Sequence, residues 1–198
     1  MQSTGIKRRI KMNVYDFDNT IYDGESFIDI FKFLIKRDPK LIKYLPDVLK
    51  SIYRYGKGTI DAEGMLKEYS PIIGSYFESL DDHMAIVHGF WEKNMYKIKP
   101  FYFRLRESDD IIVTANFDFL IKDLMETLNI KNYVCSKTDG MGRVHELCFG
   151  KNKVKMFREL YPDAVIDNFY TDSVNDTPLM EISEHAFLVT GNKIKQVK

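Results

Sequence analysis

Asp16-Phe17-Asp18-Asn19-Thr20 follows directly on Ile10-Lys11-Met12-Asn13-Val14-Tyr15, and the way these two stretches join decides the fold. Residues 10–16 read as a short strand, and the strand runs into an acidic turn. From residue 25 to about 103 strand signal is almost absent, and apolar residues recur at helical spacing. Phe27, Ile30, Phe31, Leu34 and Ile35 make one stripe; Ile42, Leu45, Leu49 and Ile52 make another. Turn signals at Asp38-Pro39, Gly56-Lys57-Gly58 and Ser70-Pro71 cut this region into several helices. After Pro100 the texture changes again. Strands are expected at 110–114, 133–136, 144–149, 164–170 and 186–190, and helices at 117–128, 152–160 and 178–182. Strands alternating with short helices argue for right-handed crossovers and a mainly parallel, Rossmann-like sheet with helices on both faces. The expectation is therefore an α/β core of residues 1–24 and 101–198, with an all-helical module of residues 25–100 inserted into it.

Composition narrows the function classes. Lysine plus arginine number 29 and aspartate plus glutamate 29, so the net charge is 0 and no global field favours nucleic acid or an anionic membrane. The basic cluster Lys7-Arg8-Arg9 with Lys11 reads as a solvated flank of the first strand. No apolar run is long enough to span a bilayer, and the N-terminal stretch lacks the apolar segment of a signal peptide. Cys135 and Cys148 sit in apolar surroundings and read as reduced, buried thiols. A cytoplasmic protein without a nucleic-acid or membrane partner is expected; the oligomeric state is not legible.

In an open parallel sheet, ligands bind beyond the carboxyl ends of the strands. The first strand ends at Asp16 and Asp18. The second ends in Thr114-Ala115-Asn116. The helix after Gly150 opens with Lys151-Asn152-Lys153, and the strand ending near Tyr170 is followed by Asp172-Ser173-Val174-Asn175-Asp176. Each element has a plain alternative. An acidic pair at a strand end also suits a nucleotide-sugar metal site, or a turn with Asp as its capping residue. Asp172 and Asp176 also suit the start of a helix, and Thr114 suits any strand. Lys153 could be a solvated first-turn lysine, although its charge is wrong for a helix N-terminus, which hints at an anion nearby. The order and placement together carry the reading: one phosphate could touch all four elements.

Val14-Tyr15-Asp16-Phe17-Asp18-Asn19-Thr20 resembles the first motif of the haloacid dehalogenase superfamily. Ile111-Ile112-Val113-Thr114 resembles the second, Cys148-Phe149-Gly150-Lys151-Asn152-Lys153-Val154 the third, and Tyr170-Thr171-Asp172-Ser173-Val174-Asn175-Asp176-Thr177-Pro178 the fourth. The helical insert after the first motif resembles the cap of the phosphoserine-phosphatase-like subclass. The resemblance implies a phosphatase that uses Mg2+ and acts on a small-molecule phosphate ester. Asp16 would be the nucleophile, and Asp18 the general acid and then base. Thr114 and Lys153 would hold phosphoryl oxygens. The metal site would draw on Asp16, Asp172 and the backbone carbonyl of Asp18, with Asp176 orienting the metal shell or Lys153. Dehalogenases lack the second aspartate and ion pumps carry threonine there, so Asp18 favours a phosphatase or phosphomutase.

Two residues are candidates for substrate contact. Glu25 stands where phosphoserine phosphatases place a glutamate that meets the substrate's amino group; as the plain alternative it caps the first helix. Asn116 stands where relatives carry a small residue, and its amide would either bond a phosphate oxygen or narrow the site. Aromatic residues of the insert, including Phe27, Phe31, Tyr53, Tyr55 and Trp91, more often build a helical core than line a pocket. His83 and His88 are badly spaced for shared metal ligation. Transfer of the phosphoryl group to an acceptor other than water would leave the same motifs, and a non-catalytic binder of a phosphorylated ligand would not need all of them.

Overall fold

A computed structural model describes residues 11–57, 59–60, 64, 68, 71, 74–139 and 144–198. The basic cluster at 7–9, Gly58 and Ser70 lie outside them.

The central strand is β1 (Lys11–Tyr15), whose Val14 and Tyr15 are fully buried, as a strand covered on both faces requires. Its neighbours are β2 (Ile111–Phe117) on one side and β5 (Val165–Thr171) on the other, both parallel to it. Outward from β2 come β3 (Asn132–Thr138), parallel, and β4 (Val144–Glu146), antiparallel. Outward from β5 come β6 (Ser183–Thr190), parallel, and β7 (Lys193–Gln196), antiparallel. The sheet order is β4-β3-β2-β1-β5-β6-β7. The chain leaves β1 for one half of the sheet and returns to its other side for the second half. A crevice opens at the carboxyl ends of β1 and β5, where this order reverses.

Helices pack around the sheet as expected after Pro100: α5 (Asp118–Thr127), α6 (Lys151–Leu160) and the short α7 (Thr177–Glu181). One core cluster gathers Ile111, Val113, Met156, Phe157, Ile166 and Phe169; a larger one gathers Tyr15, Ile112, Leu120, Leu124 and Tyr170 with residues from the segment between β1 and β2. Cys135 and Cys148 are buried free thiols, and burial pushes both up to about 12.

The described residues between β1 and β2 form helices: α1 (Ser26–Arg37), a 3-10 turn (Pro39–Tyr44), α2 (Leu45–Gly56), α3 (His83–Asn94) and α4 (Pro100–Leu105). The first apolar stripe faces inward, with Ile30, Phe31 and Leu34 buried and Phe27 and Ile35 packed against them. The second does so less: Leu45 is half-buried, and the Ile52 side chain lies outside the described residues. Ile42 is 57% exposed and Leu49 56%, while Leu41 is the buried residue. Residues 39–44 turn with three residues per turn, so Ile42 falls out of register with Leu45 and Leu49 of α2. Trp91 is buried and its Nε1 donates to the Leu120 carbonyl at 2.7 Å, so it serves packing. His88 meets Asp123 at 3.2 Å on the surface.

The strand β7 was not expected. Its residues Lys193-Ile194-Lys195-Gln196 are exposed and half basic, the pattern of a protected edge. Gly191, at φ +57°, makes the tight turn that pairs it with β6.

Candidate active site

Backbone geometry plants the first motif at the crevice. Asp16 N–H donates to the Tyr170 carbonyl at 2.9 Å, carrying the β1–β5 pairing one residue past the strand. The chain then folds over Phe17, whose carbonyl accepts from Thr20, Ile21 and Tyr22 N–H groups at 3.2, 3.0 and 3.0 Å. Asn19 takes a left-handed conformation at φ +54°, which asparagine tolerates better than most residues. In β2 the ladder to β3 lapses between Val113 and Phe117, and the residues in that gap, Thr114 to Asn116, turn toward the crevice.

All eight residues singled out from the sequence line one pocket of about 360 Å³: Asp16, Asp18, Glu25, Thr114, Asn116, Lys153, Asp172 and Asp176. Lys153, in the first turn of α6, is buried and donates to Asp16 Oδ1 at 2.6 Å and Asp176 Oδ2 at 3.0 Å. These carboxylates are the anions that explain a lysine at a helix N-terminus. Asp176 is further fixed by Thr171 Oγ1 at 2.8 Å, so here it orients Lys153. Asp16 Oδ2 accepts from Thr20 Oγ1 at 3.2 Å. Thr114 is buried, and its Oγ1 accepts the Asn116 N–H at 3.1 Å.

Asp18 is held from two sides. Its Oδ1 accepts the N–H of Ser26, the first residue of α1, at 2.8 Å, and its Oδ2 accepts from Asn116 Nδ2 at 3.3 Å. Asn116 Nδ2 also donates to Ser26 Oγ at 2.6 Å. Glu25 occupies the capping position of α1 without capping it; its carboxylate accepts from Asn19 Nδ2 at 2.6 Å instead.

Charge is concentrated here. Burial pushes the Asp16 carboxyl up to about 6; Lys153 pulls it down, but Asp176 and Asp172 add to the rise. Asp18 is held well above the usual carboxylate range, first by burial and then by Glu25. Glu25 is exposed, and water screens the upward push that partial enclosure gives it against the pull of Asn19. Asp172 is exposed at the mouth, where water screens the upward push from partial enclosure and then from Glu25. Lys153 loses hydration on burial, yet Asp16 and Asp176 more than offset this and hold it protonated. Crowded hard oxygens that repel one another are the donor set a small divalent cation relieves, so the residues fit magnesium. Among the described residues, the two trios of acidic or histidine side chains already close enough to share an ion are elsewhere: Asp167, Glu184 and His185, and Glu107, Asp109 and Asp110.

Residues 14–181 match the haloacid dehalogenase-like hydrolase family. The chain belongs to that family. Its fold is shared with solved structures at low sequence identity. A Bordetella pertussis Tohama I protein of unknown function matches with a TM-score of 0.72 at 17% identity, covering 90% of this chain and 89% of that one. A phosphoserine phosphohydrolase-like protein from Francisella tularensis subsp. tularensis SCHU S4 matches at 0.55 and 18% identity, over 89% and 86%. A phosphoserine phosphatase captured as a phospho-aspartyl intermediate analogue matches at 0.55 and 18%, over 90% and 86%. No curated protein matches the chain in sequence. Among the described residues, no helix of this haloacid dehalogenase-like hydrolase is long and apolar enough to cross a membrane.

Sequence reasoning missed several residues of this site. Lys99 is buried, and its Nζ donates to the Asn19 carbonyl in the turn after Asp18. Burial pulls its ammonium down, against Asp23 and Asp172. Nothing in Ile98-Lys99-Pro100 marks a site, because the partner is a backbone carbonyl distant in sequence. Ser26 is fully buried beside Asp18 and was hidden by the ordinary helix start around it. Phe149 was quoted only as part of a motif, yet it lines the pocket.

Proposed function

We propose that this hydrolase is a magnesium-dependent phosphatase that cleaves a small-molecule phosphomonoester through a phospho-aspartyl intermediate on Asp16. The observation that carries the reading is the buried Asp16–Lys153 pair at 2.6 Å, set at the end of β1 in one pocket with Asp18, Thr114 and Asp172. Asp16 attacks phosphorus as the bond to the leaving oxygen breaks, and Asp18 gives that oxygen a proton. The raised Asp18 carboxyl suits a donor that must hold its proton near neutral pH. Asp18, now a carboxylate, takes a proton from the water that attacks the aspartyl phosphate, freeing phosphate and Asp16. Lys153 and Thr114 hold phosphoryl oxygens while charge redistributes. Magnesium, held by the carboxylates of Asp16 and Asp172 and the Asp18 carbonyl, would neutralise phosphoryl charge.

Residues 25–100 act as a cap over a core of 1–24 and 101–198, excluding water from the pocket. The buried free thiols suit a reducing, cytoplasmic setting. The test is phosphate release from a panel of phosphomonoesters, with and without magnesium, beside Asp16→Asn. Release confined to wild type with magnesium is expected. Full activity in Asp16→Asn would end the assignment. Phosphorylation of an added alcohol with little free phosphate would make the enzyme a phosphotransferase instead.

A further inference from the structure

The amide of Asn116 has two donor hydrogens, and both have partners inside the protein. One points to Asp18 Oδ2 at 3.3 Å, the other to Ser26 Oγ at 2.6 Å. None is left for a phosphate oxygen. Against the carboxylate form of Asp18, the form that takes a proton from water, the reverse orientation would set carbonyl against carboxylate, so the amide nitrogen faces Asp18. Ser26 closes the loop, because its N–H donates to Asp18 Oδ1 at 2.8 Å. Each oxygen of Asp18 thus takes a donor from a different element: Oδ1 from the first residue of α1, Oδ2 from the end of β2. Asn116 and Ser26 are both buried, so water does not compete for the bond between them, while Asp18 is half-buried.

This arrangement has a mechanical consequence. The helix α1 opens the segment inserted between β1 and β2, whereas β2 belongs to the sheet. A shift of α1 relative to the sheet breaks either the Ser26 N–H bond or the Asn116–Ser26 bond, and Asp18 loses its fixed aim. We propose that Asn116 is a positioning residue for Asp18, and that with Ser26 it makes the aim of the general acid depend on the seating of α1. The inference rests on the phosphatase reading above, in which Asp18 protonates the leaving oxygen.

The experiment uses the full chain and a graded series of phosphate monoesters, from 4-nitrophenyl phosphate to phenyl and simple alkyl phosphates. It records kcat/KM, which covers formation of the aspartyl phosphate. A leaving group that departs easily needs little help from an acid; a poor one needs all of it. Asn116→Ala should therefore cost about tenfold to a hundredfold with alkyl phosphates and little with 4-nitrophenyl phosphate, steepening the dependence on leaving-group pKa. Asn116→Asp keeps the shape but turns a donor toward Asp18 into an acceptor, and should do at least as much harm. Ser26→Ala, a smaller deletion, should steepen the dependence less and combine non-additively with Asn116→Ala. Thermal melts of each variant identify loss of fold. A merely structural Asn116 would lower all substrates by the same factor; parallel lines in the folded variants would overturn the inference and leave the phosphatase reading intact. A wild type that hydrolyses none of the series in an Asp16-dependent way would remove both.

Discussion

Lys153 Nζ stands 2.6 Å from one aspartate and 3.0 Å from another, and water reaches none of the three freely. A lysine kept in such a place must hold its charge through the whole reaction, and the two carboxylates ensure that it does. Its loss has two effects with separable readouts. Transition-state charge on the phosphoryl oxygens loses a donor fixed in a low-dielectric pocket, so Lys153→Met should lower kcat by about 10²–10³-fold. Asp16 and Asp176 would also face each other without their cation, at a cost of about 3 kcal/mol in the metal-free protein. Steady-state rates on the best panel substrate check the first, and urea unfolding in chelator checks the second. A variant as fast and as stable as wild type would remove Lys153 from both roles.

Two chain crossings join β1 and β2 to the helices between them, and they are tied to each other. Asp23 N–H donates to the Lys97 carbonyl at 2.8 Å, and Lys99 N–H to the Ile21 carbonyl at 2.7 Å. Gly24 permits the outward turn with φ +125°, where a side chain would be strained. Asp29 of α1 completes the tie, meeting Lys97 Nζ at 2.5 Å and Tyr22 OH at 2.9 Å. Burial raises the Asp29 carboxyl, but Lys97 and Tyr22 outweigh it, and the net direction is down. A carboxyl lowered by folding contributes its full stability above its unfolded value of about 4 and loses it as pH falls through the folded value. Asp29→Asn should therefore lower the melting temperature at pH 7 by about 2–4 °C, the effect of about 1 kcal/mol in a chain of this size. The gap to wild type should close as pH falls below about 4; melts across that range decide it, and a gap independent of pH would deny the tie its charge. Ties of this sort were invisible in the sequence. Asp16, Asp18, Thr114, Lys153 and Asp172 were legible because each sits in a short string along a strand's end or a helix's start, where local sequence and site coincide. Lys97, Lys99 and Ser26 were not, since their partners lie far along the chain or are backbone atoms. The second apolar stripe joined Ile42, which lies in the 3-10 turn, to positions of α2 as though one winding ran through both.

At the scale of the molecule, the sheet order brings four separate strings to one crevice, and the helix α1 adds residues to its lining. The alternation of strands and helices gave that topology, but the chemistry of the lining emerges only when distant elements meet. Phe27 and Ile28 from α1 line the pocket with Phe117 and Phe149, and the Phe27 and Phe117 rings meet edge to face at 6.1 Å. Among the described residues lining the pocket, Lys153 is the one lysine or arginine, and it is bound to Asp16 and Asp176. Glu25 lines the same pocket. A leaving group with a carboxylate would therefore lose hydration without gaining a cation, and would face a second acid. An uncharged ring would bury itself against the four apolar side chains, and full burial of a side chain as large as Phe contributes about 1.5–3 kcal/mol. With leaving groups of similar intrinsic reactivity, 2-phenylethyl phosphate should exceed O-phosphoserine in kcat/KM by about tenfold or more. Glu25→Gln should narrow that difference by relieving phosphoserine of the opposing charge, while leaving the phenyl ester nearly unchanged. Competition between the two esters in one reaction measures the ratio directly. Phosphoserine ahead in wild type would mean that a cation outside the described lining reaches its carboxylate, and the apolar lining would then serve packing rather than choice of substrate.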